Sequence, residues 1–377
     1  MKRLLLIGAG HAHAFVLEAL ANKPEPFIEI TVVSDSRYAA YSGSVPAWLA
    51  GECSLRETQI DIEALCQRVG ANLIISTATS LRVVDREVTL ANGEQLTFDV
   101  ASLNIGSTLA LPQQKSEKAP YLLAMRPLSS LHERWQALQD RVARLPSGGE
   151  QRVVSVGSGA ASCETLMSVL AQLRQKRPDI TWRGELLSAS DAVLPEAGWL
   201  PRWLIQRALR RAGVTVHYGT RGESLVEGGV LDSAGHRVPA DIVLWATGAM
   251  GHGWLAETTL PLDTNGFVEV GKTLEVKGVP GIFAAGDCAA FTPALPNAGV
   301  YAVRMGPHLA DNLRAACQCQ PLDEWQPPKR VLALIGTGDG HAIASHGAVG
   351  FAGKWVWRWK KRIDARFIAR FNPPFSR

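Results

Sequence analysis

The sequence has no run of 18 or more apolar residues, little net charge and few cysteines, and each shortage removes a class of protein. Without a long apolar run, no segment reaches the length of a transmembrane helix. A formal net charge of +4 on 377 residues is too small to hold a nucleic acid by itself, and no nucleic-acid partner is expected. The six cysteines, Cys53, Cys66, Cys163, Cys288, Cys317 and Cys319, contain no Cys-x-x-Cys spacing. Free thiols in a reducing cytoplasm are expected from this. Cys317-x-Cys319 is the one close pair, and it has neither a histidine nor a third cysteine beside it. What is present is ordinary for a globular enzyme, with 46% hydrophobic and 20% charged residues over a length that suits two α/β domains and a small addition.

Apolar strand-like segments alternate with amphipathic helical ones almost throughout, which predicts an α/β fold built on parallel sheet. The opening MKRLLLIGAGHAH joins two basic residues to a short apolar run, as a signal peptide does, but no small-residue cleavage site follows. It reads as a first strand, Arg3–Ile7, followed by a glycine turn, a helix to about Ala21 and a strand Ile28–Val33. An equivalent unit begins at Gln151, with strand Arg152–Val156, turn Gly157-Ser158-Gly159, a helix to about Lys176 and strand Glu185–Ser188. Pro146-Ser147-Gly148-Gly149 reads as the surface connection before it. The fold predicted is therefore two Rossmann-like dinucleotide-binding domains. Beyond them, a helix Leu204–Ala212 precedes strand Val214–His217. The turn Gly336-Thr337-Gly338-Asp339-Gly340 predicts a β-hairpin between Leu332–Ile335 and Ala342–Ala344. Lys354–Phe371 reads as a basic, aromatic helix ending before Pro373-Pro374.

Each unit carries its chemistry in a strand–glycine turn–helix element. In the first, Gly8 permits a tight turn and Gly10 lets backbone approach a pyrophosphate at the helix N-terminus, while His13 stands where a third glycine is usual. His11 joins this group. Two histidines without a third ligand are not expected to bind a metal. The acid that would accept from the adenine ribose is Ser34 or Asp35 by position, with Asp35 favoured and one residue of register deciding between them. In the second unit, Gly157, Gly159 and Ser162 occupy the three positions, followed by Glu164. Its next strand ends in Ser188-Ala189-Ser190, with neither an acid nor an arginine, so the choice between NADH and NADPH stays open. Asp241–Gly248 and Gly281–Asp287 are two further apolar strands ending in small-residue turns, and Gly106, Gly248 and Gly286 mark such exits. Asp287 can accept hydrogen bonds from a flavin ribityl chain. The helix after Asn297-Ala298-Gly299 would aim its positive end at the flavin ring.

In this order and spacing the motifs resemble the pyridine-nucleotide-disulfide oxidoreductase superfamily, near type II NADH dehydrogenases and sulfide:quinone reductases. Gly8-Ala9-Gly10-His11-Ala12-His13, Tyr41 to Pro46, Ala298 to Arg304 and Trp357-x-Trp359-Lys360 are similar to the flavoprotein domain fused to selenide, water dikinase in some bacteria. The resemblance implies a FAD-binding domain over 1–110 and 265–330, an NAD(P)H-binding domain over 111–264, and a C-terminal hairpin and helix over 331–377. It implies hydride transfer from NAD(P)H to FAD. Disulfide reductases of this fold place two cysteines beside the flavin, the second in Gly-Cys-Val-Pro. Here Gly43-Ser44-Val45-Pro46 and Ala39 stand in those places, so electrons are expected to leave the flavin directly for a diffusible acceptor. Ser44, Pro46 and Glu164 are then the residues expected nearest the reacting atoms. Val300 and Arg304 fall where type II dehydrogenases carry the glutamines of a quinone pocket.

A membrane quinone is the expected acceptor. The alternatives are a soluble reductase of a small selenium or sulfur compound, and a non-catalytic flavin redox sensor. The C-terminal helix bears on this choice. Trp355, Trp359, Ile363, Phe367 and Phe371 recur at four-residue spacing, with Lys354, Arg358, Lys360, Lys361, Arg362, Arg366 and Arg370 around them. That pattern predicts an interfacial helix on an anionic membrane surface, peripheral on the inner face of the cell membrane. The competing expectation is a stripe packed on the flavin domain with solvated cations.

Overall fold

In the computed structural model, which describes residues 1–372, two five-stranded parallel sheets organise the chain. The first unit opens with β1 (Lys2–Ile7), α1 (His11–Asn22) and β2 (Ile28–Ser34), and continues through a short helix α2 (Val45–Leu49), β3 (Asn72–Ile75) and β4 (Val100–Leu103). The chain then leaves this sheet. The second unit contains β5 (Tyr121–Ala124), β6 (Glu150–Val156), α3 (Ala160–Lys176), β7 (Thr181–Leu187), α4 (Trp199–Arg211), β8 (Val214–His217) and β9 (Ile242–Trp245). Afterwards β10 (Ile282–Ala284) returns to the edge of the first sheet and leads into α5 (Gly299–Cys317). The strand orders are β10-β4-β1-β2-β3 and β5-β9-β6-β7-β8. Every neighbouring pair is parallel, which needs long crossovers such as those carrying α1 and α3, and the strands are accordingly buried and Val/Ile/Leu-rich.

The duplication is close in register. Asn104 N–H donates to Ile7 after β4, and Ala246 N–H donates to Val156 after β9. Leu103-Asn104-Ile105-Gly106 thus corresponds in space to Trp245-Ala246-Thr247-Gly248.

Two expected boundaries move. β7 begins at Thr181, four residues before the expected start, because Trp182 is buried in the core while Arg183 points outward. α4 begins at Trp199 although Pro201 lies inside it; the first turn of a helix has no intrahelical partners for its N–H groups, so proline is accepted there.

The hairpin is three-stranded: β11 (Ala333–Gly336) and β12 (Ala342–His346) pair antiparallel, and an additional β13 (Val349–Gly353) pairs with β12. α6 (Lys354–Phe371) follows with the predicted bounds. Pro373-Pro374, expected as its stop, lie outside the described residues.

Candidate active site

The glycine turns of the first unit close around one buried amide that the sequence reading did not single out. Asn104, 3% exposed, follows β4 and reaches between three turns. Its Oδ1 accepts from the N–H groups of Ala12 (3.0 Å) and His13 (3.3 Å) in the first turn of α1. Its Nδ2 donates to the carbonyl of Ala285 (2.6 Å), immediately before Gly286 and Asp287. Its own carbonyl accepts from Gly10 N–H (3.2 Å).

A Cβ on Gly10 would lie 2.3 Å from Asn104 Oδ1, so the chain's own packing already demands glycine there. Gly8 at φ +87 and Gly286 at φ +72 are glycine for conformational as well as steric reasons.

His13, expected at the cofactor, is instead fully buried beneath the turn. Its Nδ1 donates to the Gly8 carbonyl (2.6 Å) and its Nε2 accepts from Ser102 Oγ (2.8 Å), with burial pushing its pKa down to about 4. A neutral imidazole fills the space a third glycine leaves in other sequences and holds the turn from below.

The loop Tyr41–Pro46 sits over the first turn of α1. His11 Nε2 accepts from Ser42 N–H (3.3 Å), and the imidazole packs edge-on to Tyr41 at 5.4 Å. Burial lowers the His11 pKa to about 4 although the charge of Asp287 opposes it. A Cβ on Gly299, at the start of α5, would meet Ser42 Oγ at 2.6 Å, so α5 also enters the cluster. Ala298 precedes it as the helix cap. Ser44 caps α2 and Pro46 is in its first turn, both buried.

Asp287 is partly covered and pairs with Arg126 Nη1 at 2.5 Å. Arg126 also donates to Ser107, next to Gly106, whose φ is +70. Arg126 had no pattern around it in the sequence that would have marked it.

Gly8, Gly10, His11, Gly106, Gly286, Asp287, Ala298 and Gly299 thus meet in one place. At the end of β2, Ser34 Oγ turns inward to the Ser36 carbonyl (2.8 Å) while Asp35 is exposed. Val300 and Arg304 lie one turn apart near the start of α5, Val300 half-buried and Arg304 exposed.

The second unit repeats the turn with a different interior. A Cβ on Gly157 would meet Thr247 and Ser162, and φ there is +119. At Gly159, with φ −72, a Cβ would meet no protein atom within 4 Å. Neither strain nor packing within the chain asks for glycine at 159. A bare backbone there leaves an open cradle at the N-terminus of α3, which suits a pyrophosphate. Gly248, at φ +68, turns the chain out of this sheet.

Glu164 lies between the units. It is 8% exposed, accepts from Gly336 N–H (2.7 Å) and stands 3.8 Å from Lys360 Nζ. Lys360, grouped with the solvated cations from its sequence position, is instead buried in α6. It donates to Asp364 (3.0 Å) and to the Gly43 carbonyl of the loop above. Burial raises the Glu164 carboxyl to about 7, against the pull of Lys360 and the Gly336 N–H. Burial works against charge on Lys360 too, but Glu164 and Asp364 together hold its pKa above the ordinary value. The ammonium therefore persists while the Glu164 carboxyl titrates near neutrality. Glu164 is thus held by a backbone N–H and a lysine together.

The expected aromatic stripe of α6 divides. Phe371 is fully buried, and Phe367 stacks on Tyr41 at 4.1 Å, so this end packs against the first unit. Trp355 and Trp359 are 54% and 38% exposed.

The pyridine nucleotide-disulphide oxidoreductase family profile matches residues 2–312. The chain belongs to this family. It is an oxidoreductase whose cofactors are FAD and NAD(P)H, and the cluster around Asp287 and the open cradle at Gly159 fit those two groups. An NADH dehydrogenase-like protein of Mycobacterium tuberculosis is 25% identical over 304 residues, covering 77% of this chain and 73% of the relative. A type II NADH:quinone oxidoreductase of Staphylococcus saprophyticus is 23% identical over 98% of this chain and 96% of its own. The sulfide:quinone oxidoreductase of Aquifex aeolicus shares the fold with a TM-score of 0.79 at 16% identity, over 99% of this chain and 92% of that one. All six cysteines here are free thiols, four of them buried. Burial pushes Cys163 up to about 12 and Cys288 to about 11, so neither is a thiolate at neutral pH.

Proposed function

We propose that this oxidoreductase delivers electrons to a lipid-borne quinone while resting on an anionic bilayer. The observation that carries the reading is an open apolar cavity of about 300 Å³ on the outer face of the hairpin, lined by Leu332, His346, Val349, Phe351, Trp355 and Trp359. Trp355 stacks on Trp359 at 6.4 Å and tilts toward Phe351 at 6.1 Å, so the aromatic rings form one surface instead of scattered exposures. Exposed Arg358 and Arg362 follow Trp355 and Trp359 by three residues and so share their face of α6. The tip of the hairpin touches Gly198, where a Cβ would meet Ala348 at 2.5 Å, and beyond it Trp199 and Trp203 are 73% and 45% exposed on α4. Exposed indoles among cations suit the interface between lipid and water, where the ring is buried and the charge meets headgroups. The quinones named in the relatives support the same acceptor.

Bound FAD would supply the redox chemistry, as hydride acceptor from NAD(P)H and electron donor to the acceptor. The chain's own residues do the positioning. Gly159 leaves room for the nicotinamide pyrophosphate, Asp287 and Arg126 hold the ribityl side, and α5 presents Val300 and Arg304 toward the acceptor. Ala39 and Ser44 leave no thiol beside the flavin, so electrons pass outward without a disulfide. Glu164, close to Pro46 and titrating near pH 7, holds a proton next to this region.

The test combines quinone reduction with vesicle cosedimentation. The enzyme should reduce a short-chain quinone with NAD(P)H, and bind vesicles only when they contain anionic lipid. Raising salt from 0.1 to 1 M shortens the Debye length from about 10 to about 3 Å, so binding should weaken but not vanish. Trp355→Ser with Trp359→Ser should abolish binding with FAD content unchanged. No vesicle binding at low salt would reject the membrane contact, and no quinone reduction would reject the acceptor.

A further inference from the structure

Asn104 does more than fill space between turns. We infer that it is the positioning residue that sets the pyrophosphate turn and the ribityl turn of the FAD site in register while leaving the end of α1 uncharged. The inference rests on an internal control. At the corresponding place in the second unit stands Ala246, and there the glycine of the helix turn, Gly159, has no protein atom near its Cβ direction. In the first unit the amide of Asn104 fills that space, 2.3 Å from where a Gly10 Cβ would lie. The Asn104 carbonyl approaches the same point at 2.6 Å, so side chain and main chain of this one residue together close the first turn where Ala246 leaves the second open.

The amide is suited to this task because it accepts on one side and donates on the other. Oδ1 takes the N–H group of Ala12, which would otherwise be an orphaned donor of a helix N-terminus, and shares that of His13 with the Gly10 carbonyl. Nδ2 grips the carbonyl of Ala285, and the next two residues are Gly286 and Asp287. One buried group therefore ties the turn that meets the pyrophosphate to the turn that meets the ribityl chain. A carboxylate would cap α1 at least as well and would add favourable charge at the helix end. Held against FAD, however, it would cancel the helix dipole and repel the pyrophosphate. A neutral amide caps the helix and keeps its positive end available to the phosphates.

Substitution separates a cap from a cofactor-positioning residue. Asn104→Ala and Asn104→Asp are prepared as apoprotein, and thermal stability, FAD affinity and flavin midpoint potential are measured for each. Asn104→Ala should weaken FAD binding by about tenfold and shift the potential, because the Asp287 turn is released. Asn104→Asp should match or exceed Asn104→Ala in apoprotein melting temperature, yet bind FAD at least tenfold more weakly than Asn104→Ala. An Asn104→Asp protein that binds FAD as tightly as Asn104→Ala would overturn the inference and leave Asn104 a structural cap. Asn104→Ser, which caps without charge, provides a second arm if the aspartate variant does not fold. It should bind FAD more tightly than Asn104→Ala, and equal affinities would overturn the inference as well.

Discussion

The two glycine turns of this chain look alike in sequence and differ in what surrounds them. Gly8-x-Gly10-x-x-His13-x-Phe15 and Gly157-x-Gly159-x-x-Ser162-x-Glu164 open equivalent helices after equivalent strands. In the first, Asn104 and His13 occupy the space behind the turn, and Phe15 packs in the core against Phe371 at 5.0 Å. In the second, small Ala246 and Ser162 leave the cradle open, and a buried carboxyl replaces the phenyl ring. The same helix, α6, reaches both places, with Phe367 and Phe371 on Phe15 and Lys360 on Glu164. A permanently held cofactor suits the closed, prepacked turn. A nucleotide that must enter and leave on every turnover suits the open one.

Gly10→Ala should break the comparison most severely. The new Cβ would overlap Asn104, and overpacking at a site with no room should cost about 3 kcal/mol, read as a lowered melting temperature with loss of bound FAD. A stable, yellow Gly10→Ala protein would mean that the first turn is as open as the second.

The carboxyl on α3 gives the next effect. Because burial raises the Glu164 pKa to about 7 from an ordinary value near 4.5, its protonated form favours the folded state. That contribution is complete below about pH 4.5 and is lost as pH rises through 7. Thermal stability should therefore fall between pH 5 and 8 by on the order of 2 kcal/mol more in the wild type than in Glu164→Gln. Parallel pH profiles for the two proteins would show that Glu164 stays ionised throughout.

Gly159→Val tests the open cradle directly. With nothing near its Cβ direction and an unstrained φ, the variant should keep its FAD and lose less than about 1 kcal/mol of stability, while the KM for NAD(P)H rises roughly tenfold. A change in stability without a change in KM would place the nicotinamide nucleotide elsewhere. The smallest effect is expected from the thiols. Cys163→Ala and Cys288→Ala should each leave turnover per bound flavin within roughly twofold, since deleting a buried sulfur changes packing by about 1 kcal/mol and removes no thiolate. Loss of turnover with flavin still bound would reveal a redox thiol.

The sequence alone determined the architecture, because glycine turns, alternating apolar strands and helix periodicity are local signals. From these came both Rossmann units, the position of Asp287, and the bounds of α6. Local pattern could not show which side chains from distant segments meet. Asn104 lies 92 residues from Ala12 and 181 from Ala285 along the chain, and only the folding of β1, β4 and β10 side by side joins them. Arg126 reaches Asp287 from the connection into the second unit, 161 residues away. The stripe of α6 serves two surfaces for a geometric reason. Residues four apart advance about 40° around a helix, so a stripe from Trp355 to Phe371 turns by about 160° and cannot face one surface. Tertiary packing divided it, burying Lys360 and Phe371 and leaving Trp355 and Trp359 open.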